Sequence, residues 1–192
     1  MIKTDLQIYL ASKSPRRRKL LKLLNINFKS FTVDVNENIS KTEKPAHIVK
    51  RLANEKLLKA KEKVKNGIII TADTIVVLDG KVIGKPTSTK NAKIILKKLS
   101  GRVHKVYTGF SVWNSDKNII IADYEKTIVE FRNLFDREID DYICGGSPMD
   151  KAGAYGIQDD IGAVFIKKIN GCYYNVVGLP LTKIYQALIK IV

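Results

Sequence analysis

A chain of 192 residues, 45% hydrophobic and 28% charged, has the balance of a globular protein and the length of one domain or a compact pair of lobes. Its purely apolar runs are a few residues long, against the ~20 that a membrane-crossing helix needs, and its N-terminal segment lacks the apolar stretch and small-residue cleavage pattern of a signal peptide, so a cytoplasmic protein is expected. A formal charge of +15 invites an anionic partner such as nucleic acid, an anionic membrane or a phosphorylated small molecule, but most of the excess is lysine spread along helices and weighs little by itself.

Residues 7–12, "QIYLAS", predict a short strand that leads into a helix, with Ser14 as N-cap and Pro15 at the first helical position. Leu20, Leu21 and Leu24 form the apolar stripe of that helix. "FKSFTVDVNEN" alternates like a strand and runs into an acidic, polar loop. The next helix is expected from near Pro45 to Asn66-Gly67, because Val49, Leu52, Ala53, Leu57, Ala60 and Val64 follow the helical period. "GIIITADTIVVLDGKVIGKP" predicts two apolar strand pieces around a polar break, then a hairpin at Asp79-Gly80. "TSTKNAKIILKKLSG" predicts a helix with Ser or Thr at its start and Gly101 just past its end. "RVHKVYTGFSVW" and "IIIADYEKTIVEF" pair as strands across the polar turn "NSDKN". "DREIDDYICGG" predicts a short helix capped by Asp136. "GAVFIKKINGCYYNVVG" predicts a strand, a turn at Asn170-Gly171 and a further strand, and "LPLTKIYQALIKIV" an amphipathic closing helix. The class is α/β with a mixed sheet. Cys144 and Cys172 lack metal-ligand spacing and only His47 and His104 accompany them, so no zinc site is expected and the thiols read as free and structural.

The densest positive charge, "LASKSPRRRKLL", stands at a helix start, the end whose dipole repels cations. The exposed N–H groups of a helix N-terminus bind anions, and arginine grips phosphate with a two-point fork. Arg16 and Arg17, in the first turn, are therefore assigned to an anion; Arg18 and Lys19 are assigned to the solvated surface. Asp73 interrupts an apolar run that disfavours aspartate. It reads either as a loop carboxylate capping a turn or as a metal ligand or general base at a strand end. Lys85 returns toward it across the hairpin. Lys56 falls inside the apolar stripe of its helix. It is either a snorkelling lysine with a packed stem or a lysine aimed at phosphate; Lys63 lies nearly as central but close to the helix end. "SPMDKAGAYGIQ" sets glycines around Lys151, Tyr155 and Gln158, and the Gln158 amide offers a donor and an acceptor to a base edge. His104, alone in a strand, reads as structural.

Taken together, "LASKSPRRRKLL", "ADTIVVLDGKVIGKP", "LSGRVHKVYTG", "DKAGAYGIQ" and "YYNVVGLPL" resemble, in order and spacing, the blocks of the Maf family, over about residue 8 to residue 185. The resemblance implies a nucleoside triphosphate pyrophosphatase, a house-cleaning enzyme that uses a divalent metal, Mg²⁺ or Mn²⁺. It implies an elongated mixed β-sheet flanked by helices with a central cleft, like that of inosine triphosphatases. The chain would then be a single domain over residues 1–192, as one body or as two lobes around the cleft, with a homodimer as the assembly. "SPRR" is similar to the branch acting on dTTP and UTP, whereas a branch acting on 7-methyl-GTP has an aromatic residue where Arg16 stands. By resemblance, Asp73 is the catalytic acid of the "ADT" motif. Arg16, Thr74 and Gln158 match positions linked to substrate choice, and Arg17, Glu37, Lys56 and Lys85 match other active-site residues. Ser12 and Ser14 lie in the same phosphate-side loop. One departure is Gly146-Ser147-Pro148, where the family has Gly-Glu-Pro, so the contact made by that glutamate is not expected here.

The mechanism this implies is charge neutralisation of a triphosphate by Arg16, Arg17, Lys56 and Lys85. The metal is expected on Glu37 and Asp73, with Asp73 activating water or holding the ion beside it. The rival reading is a regulatory or nucleic-acid-binding protein linked to septum formation. It finds no aromatic-interleaved basic stripe, DNA-binding motif or disordered basic arm in this chain, so nucleic acid is not the expected partner.

Overall fold

The computed structural model describes residues 2–40, 42–158 and 161–192, with the Ser147 side chain outside the description. In chain order the elements are β1 (Ile8–Ala11), α1 (Pro15–Lys22), β2 (Phe28–Phe31), α2 (Pro45–Lys61), β3 (Ile68–Leu78), β4 (Lys81–Ile83), α3 (Thr89–Leu99), β5 (Val103–Asn114), β6 (Ile119–Phe131), α4 (Asp136–Cys144), β7 (Ile166–Asn170), α5 (Tyr173–Val177) and α6 (Leu181–Ile191). Among the described residues the strands form one mixed seven-stranded sheet in the order β2-β1-β3-β5-β6-β7, with β4 on β3. β1 runs parallel to β2 and β3, whereas β4 pairs antiparallel with β3 and β7 with β6. The α/β class and the mixed sheet with flanking helices are as expected.

Local signals produce most of these elements. Ser14 caps α1 and Pro15 starts it. Ser88 caps α3, and Gly101 follows that helix at φ 67°. Asp79 and Gly80 both take positive φ, 49° and 75°, as a two-residue hairpin turn matched to strand twist requires. Four expectations are corrected. β3 is one continuous strand, so Asp73 lies within it and not in a loop between strand pieces. α2 ends at Lys61, short of Asn66-Gly67. α4 has Phe135 at its N-cap position, with Asp136 already helical, and Glu138 reaches back to accept from the Phe135 N–H at 2.7 Å. The second strand expected after Gly171 is the helix α5: Tyr and Val favour strands, but the fully buried Asn175 donates its amide to the Val106 carbonyl at 3.1 Å and to Thr127 Oγ1 at 2.9 Å, tertiary bonds that override propensity.

The chain divides into two compact units. Unit 1 holds residues up to Asp73, Thr108–Glu125 and Gly178 onward; unit 2 holds Thr74–Tyr107 and Lys126–Val177. In unit 1, α2 packs Leu57, Ala60 and the following Val64 on Ile69, Ala11 and Trp113. Burying a side chain such as Leu57 stabilises by about 1.5–3 kcal/mol. Gly109 of β5 has no side chain because a Cβ there would stand 2.3 Å from the Val49 carbonyl of α2. Unit 2 buries Val76, Leu96, Phe131, Tyr142 and Phe165 around the edge-on rings of Phe131 and Tyr155, 4.7 Å apart. Cys144 and Cys172 are free thiols. No helix among the described residues is long and apolar enough to cross a membrane.

Candidate active site

In a strand, residues two apart share a face. Ile69, Thr71 and Asp73 therefore point the same way from β3, and α2 covers that face. The buried Thr71 hydroxyl donates to the Ala53 carbonyl of α2 at 2.7 Å. One helical turn further on, Lys56 donates its ammonium to Asp73 Oδ1 and, at 2.8 Å, to Glu37 Oε1. The lysine is 12% exposed and the aspartate 9%. Lys56 thus does not snorkel to water; its place within the apolar stripe aims it at the carboxylate. Leaving such a carboxylate without its cation would cost several kcal/mol. Lys63, past the end of α2, instead meets the Thr32 carbonyl at the surface.

α1 approaches the same strand through Arg17. Its Nε donates to the Gly178 carbonyl at 2.7 Å and its Nη1 to the Ala72 carbonyl at 2.8 Å and to Ser12 Oγ at 3.4 Å. Ser12 Oγ accepts from the Ser14 N–H at 3.2 Å, and Ser14 Oγ from the Arg17 N–H at 3.4 Å. Burial pushes the Arg17 guanidinium down from its usual value, Asp73 opposes this, Arg16 adds to it and Glu37 opposes it. Arg17, expected at an anion, is half-buried and holds backbone carbonyls, one of them adjacent to Asp73. Arg16 is half-buried in the same first turn, Arg18 is half-buried and Lys19 is exposed.

The Glu37 and Asp73 carboxylates converge on one cation position, which the Lys56 ammonium takes. Among the described residues no group of three or more His, Cys, Asp or Glu converges. A donor set of two carboxylates fits Mg²⁺ or Mn²⁺, ions that keep waters and share substrate phosphates and do not need an all-protein cage.

In unit 2, Thr74 continues β3 and is half-buried, and Lys85 is exposed in the segment after β4. The β3–β4 pairing reaches only to Val76 opposite Ile83. The Gly153 N–H donates to the Gly84 carbonyl at 3.1 Å, which ties the loop 151–158 to the segment carrying Lys85. Gly153 has φ 75°, and a Cβ there would stand 2.9 Å from Val76. Gln158 ends this loop, half-buried. Two further bonds fasten the loop: Tyr155 hydroxyl to His104 Nε2 at 2.7 Å, and Gly156 N–H to the Tyr142 hydroxyl at 3.2 Å. Burial pushes His104 down to about 4 and Tyr155 up. His104 is a core residue, as its strand context indicates. Ser147, which marks the departure from the Gly-Glu-Pro pattern, has its side chain outside the described residues.

Sequence reasoning missed Thr71, the Gly178 carbonyl and the Tyr155–His104 bond. Thr71 had a signal, since it alternates with Asp73 on one strand face. A backbone carbonyl has none.

The family described as Maf-like protein matches residues 7–191. The dTTP/UTP pyrophosphatase of Thermosipho melanesiensis is 50% identical over 183 residues, covering 95% of this chain and 97% of that one. That of Dictyoglomus thermophilum is 45% identical over 183 residues, covering 95% and 94%. Among solved structures, the Staphylococcus aureus Ham1 protein is similar with a TM-score of 0.47 and 17% identity, over 65% of this chain and 71% of that one.

Proposed function

The chain belongs to the Maf family, and on that premise we propose that it hydrolyses dTTP and UTP between the α- and β-phosphates, releasing the nucleoside monophosphate and pyrophosphate. The observation that carries this is Lys56 held between Asp73 and Glu37 on a chain half identical to such an enzyme. Asp73 takes the proton of the water that attacks the α-phosphorus, and the pyrophosphate leaves with the electron pair of the broken P–O bond. Glu37 and Asp73 would hold the divalent ion, which when bound neutralises phosphate charge and polarises the phosphoryl oxygens. The Lys56 ammonium and Arg16 balance the charge that moves onto the leaving group. Arg17, committed to Ala72 and Gly178, sets the position of the strand that presents Asp73. Ser12 and Ser14 shape the phosphate-side turn. In unit 2, Thr74 and Gln158 are proposed to select the pyrimidine and Lys85 to contact phosphate. Modified pyrimidine triphosphates fall in the same substrate class. The setting proposed is the cytoplasm, with the enzyme as a homodimer and no nucleic-acid partner.

The test is pyrophosphate release from a panel of natural and modified triphosphates with Mg²⁺ or Mn²⁺. dTTP and UTP are expected to turn over fastest. Asp73→Asn is expected to lose at least ~10²-fold in kcat with an unchanged circular dichroism spectrum. A variant as fast as the parent would overturn the assignment.

A further inference from the structure

α1 carries cations on two faces. Arg16 and Arg17 belong to the site above; Arg18, Lys19 and Lys22 do not. These three rim a cavity of about 570 Å³ between α1 and β2, wholly within unit 1. Its opposite wall is Ile26, Asn27, Phe28 and Ser30, and no lining residue is acidic.

Several lysines elsewhere on this surface find carboxylate: Lys13 meets Asp34, Lys59 meets Glu62, Lys93 meets Asp140 and Lys97 meets Asp136. The side chains of Arg18, Lys19 and Lys22 make no ion pair or hydrogen bond with the described residues. Like charges within one helical turn repel. Water solvates these cations in the free protein, and they line a concavity whose far wall offers an aromatic ring. The volume lies within the range of small-molecule sites and accommodates a single nucleotide. We infer that this cavity binds a nucleoside monophosphate. Arg18 forks the phosphate with Lys19 and Lys22 beside it, the base packs on Phe28 and Ile26, and Asn27 and Ser30 meet its polar edge.

Uridine monophosphate is a suitable probe, because the enzyme proposed above does not turn it over and amide shifts report each site separately. Titrated into the ¹⁵N-labelled protein, it is expected to move the Asn27, Phe28 and Ser30 amides saturably. The affinity at these amides should fall at least tenfold in Arg18→Gln/Lys19→Gln/Lys22→Gln. Arg18→Lys, which keeps the charge and loses the fork, should fall in between. Inorganic phosphate should bind there at least tenfold more weakly than the nucleotide. No saturable shift at these amides, or shifts unaltered in the triple variant, would overturn the site whatever the catalytic assay shows. Phosphate binding as tightly as the nucleotide, or an oligothymidylate binding there more tightly, would overturn the monophosphate assignment.

Discussion

Lys56 places one positive charge between two carboxylates, and the stability of the site depends on that charge. Replacing it by methionine keeps the stem and deletes the ammonium, leaving Asp73, 9% exposed, with an unmatched charge. Lys56→Met is expected to lose about 3 kcal/mol in urea unfolding, and Lys56→Met/Asp73→Asn to regain most of it. His104 makes a second prediction at this scale. Its pKa is about 4 in the folded protein against the ordinary 6.5 of a solvated histidine, so the unfolded chain takes the proton first as pH falls. Stability is then lost between pH 6.5 and about 4. Urea unfolding at pH 7 and pH 5 should differ by about 2 kcal/mol more in the parent than in His104→Gln. An equal pH dependence in the two proteins would show that another group is responsible.

The pairing of α2 with β3 brings Lys56 to Asp73, and Thr71 fixes that pairing through its bond to Ala53. Thr71→Val keeps the shape, removes the hydroxyl and leaves the Ala53 carbonyl short of a donor. It is expected to cost about 1–2 kcal/mol and to lower kcat more than it raises KM, because it shifts a catalytic pair and not a substrate contact. Behind the same helix, the Cβ of Gly109→Ala would meet the Val49 backbone at 2.3 Å. Backbone cannot rotate away as a side chain can, so a loss of about 3 kcal/mol or more in urea unfolding is expected. α2 was legible beforehand from its apolar period, except for its end, and β3 only as two apolar strand pieces and not as one continuous strand. Their register was not, because it rests on one hydroxyl and one missing methyl.

At the scale of the molecule, +15 on 192 residues is a field and not a set of contacts. Such a field raises the encounter rate with a triphosphate and is screened by salt. Raising NaCl from about 50 to about 500 mM is expected to lower kcat/KM for dTTP by roughly tenfold with kcat unchanged, as read from initial rates. A kcat/KM indifferent to salt would mean that the scattered lysines act only as a solvated surface. The two units have separate cores, one built on α2 and the other on α3 and α4, while β3, β5 and β6 contribute residues to both. The chain offers no long linker at these boundaries, because three of the four fall inside β3, β5 and β6 and the fourth directly follows α5.

Features that rest on neighbours a few residues apart could be read directly from the order of the amino acids. These are the Ser14 cap with Pro15, the Asp79-Gly80 turn, the α2 stripe with Lys56 inside it, and the ordered blocks that mark the family. Features that rest on distant partners came from the folded chain alone. Lys56 meets Asp73 and Glu37 across 17 and 19 residues, and Arg17 spends its donors on carbonyls 55 and 161 residues away. α5 is a helix because Asn175 finds Val106 and Thr127. Local propensity and period describe a residue's own surroundings; a backbone carbonyl or a buried charge carries no mark in the sequence of who will satisfy it, and folding alone supplies that partner.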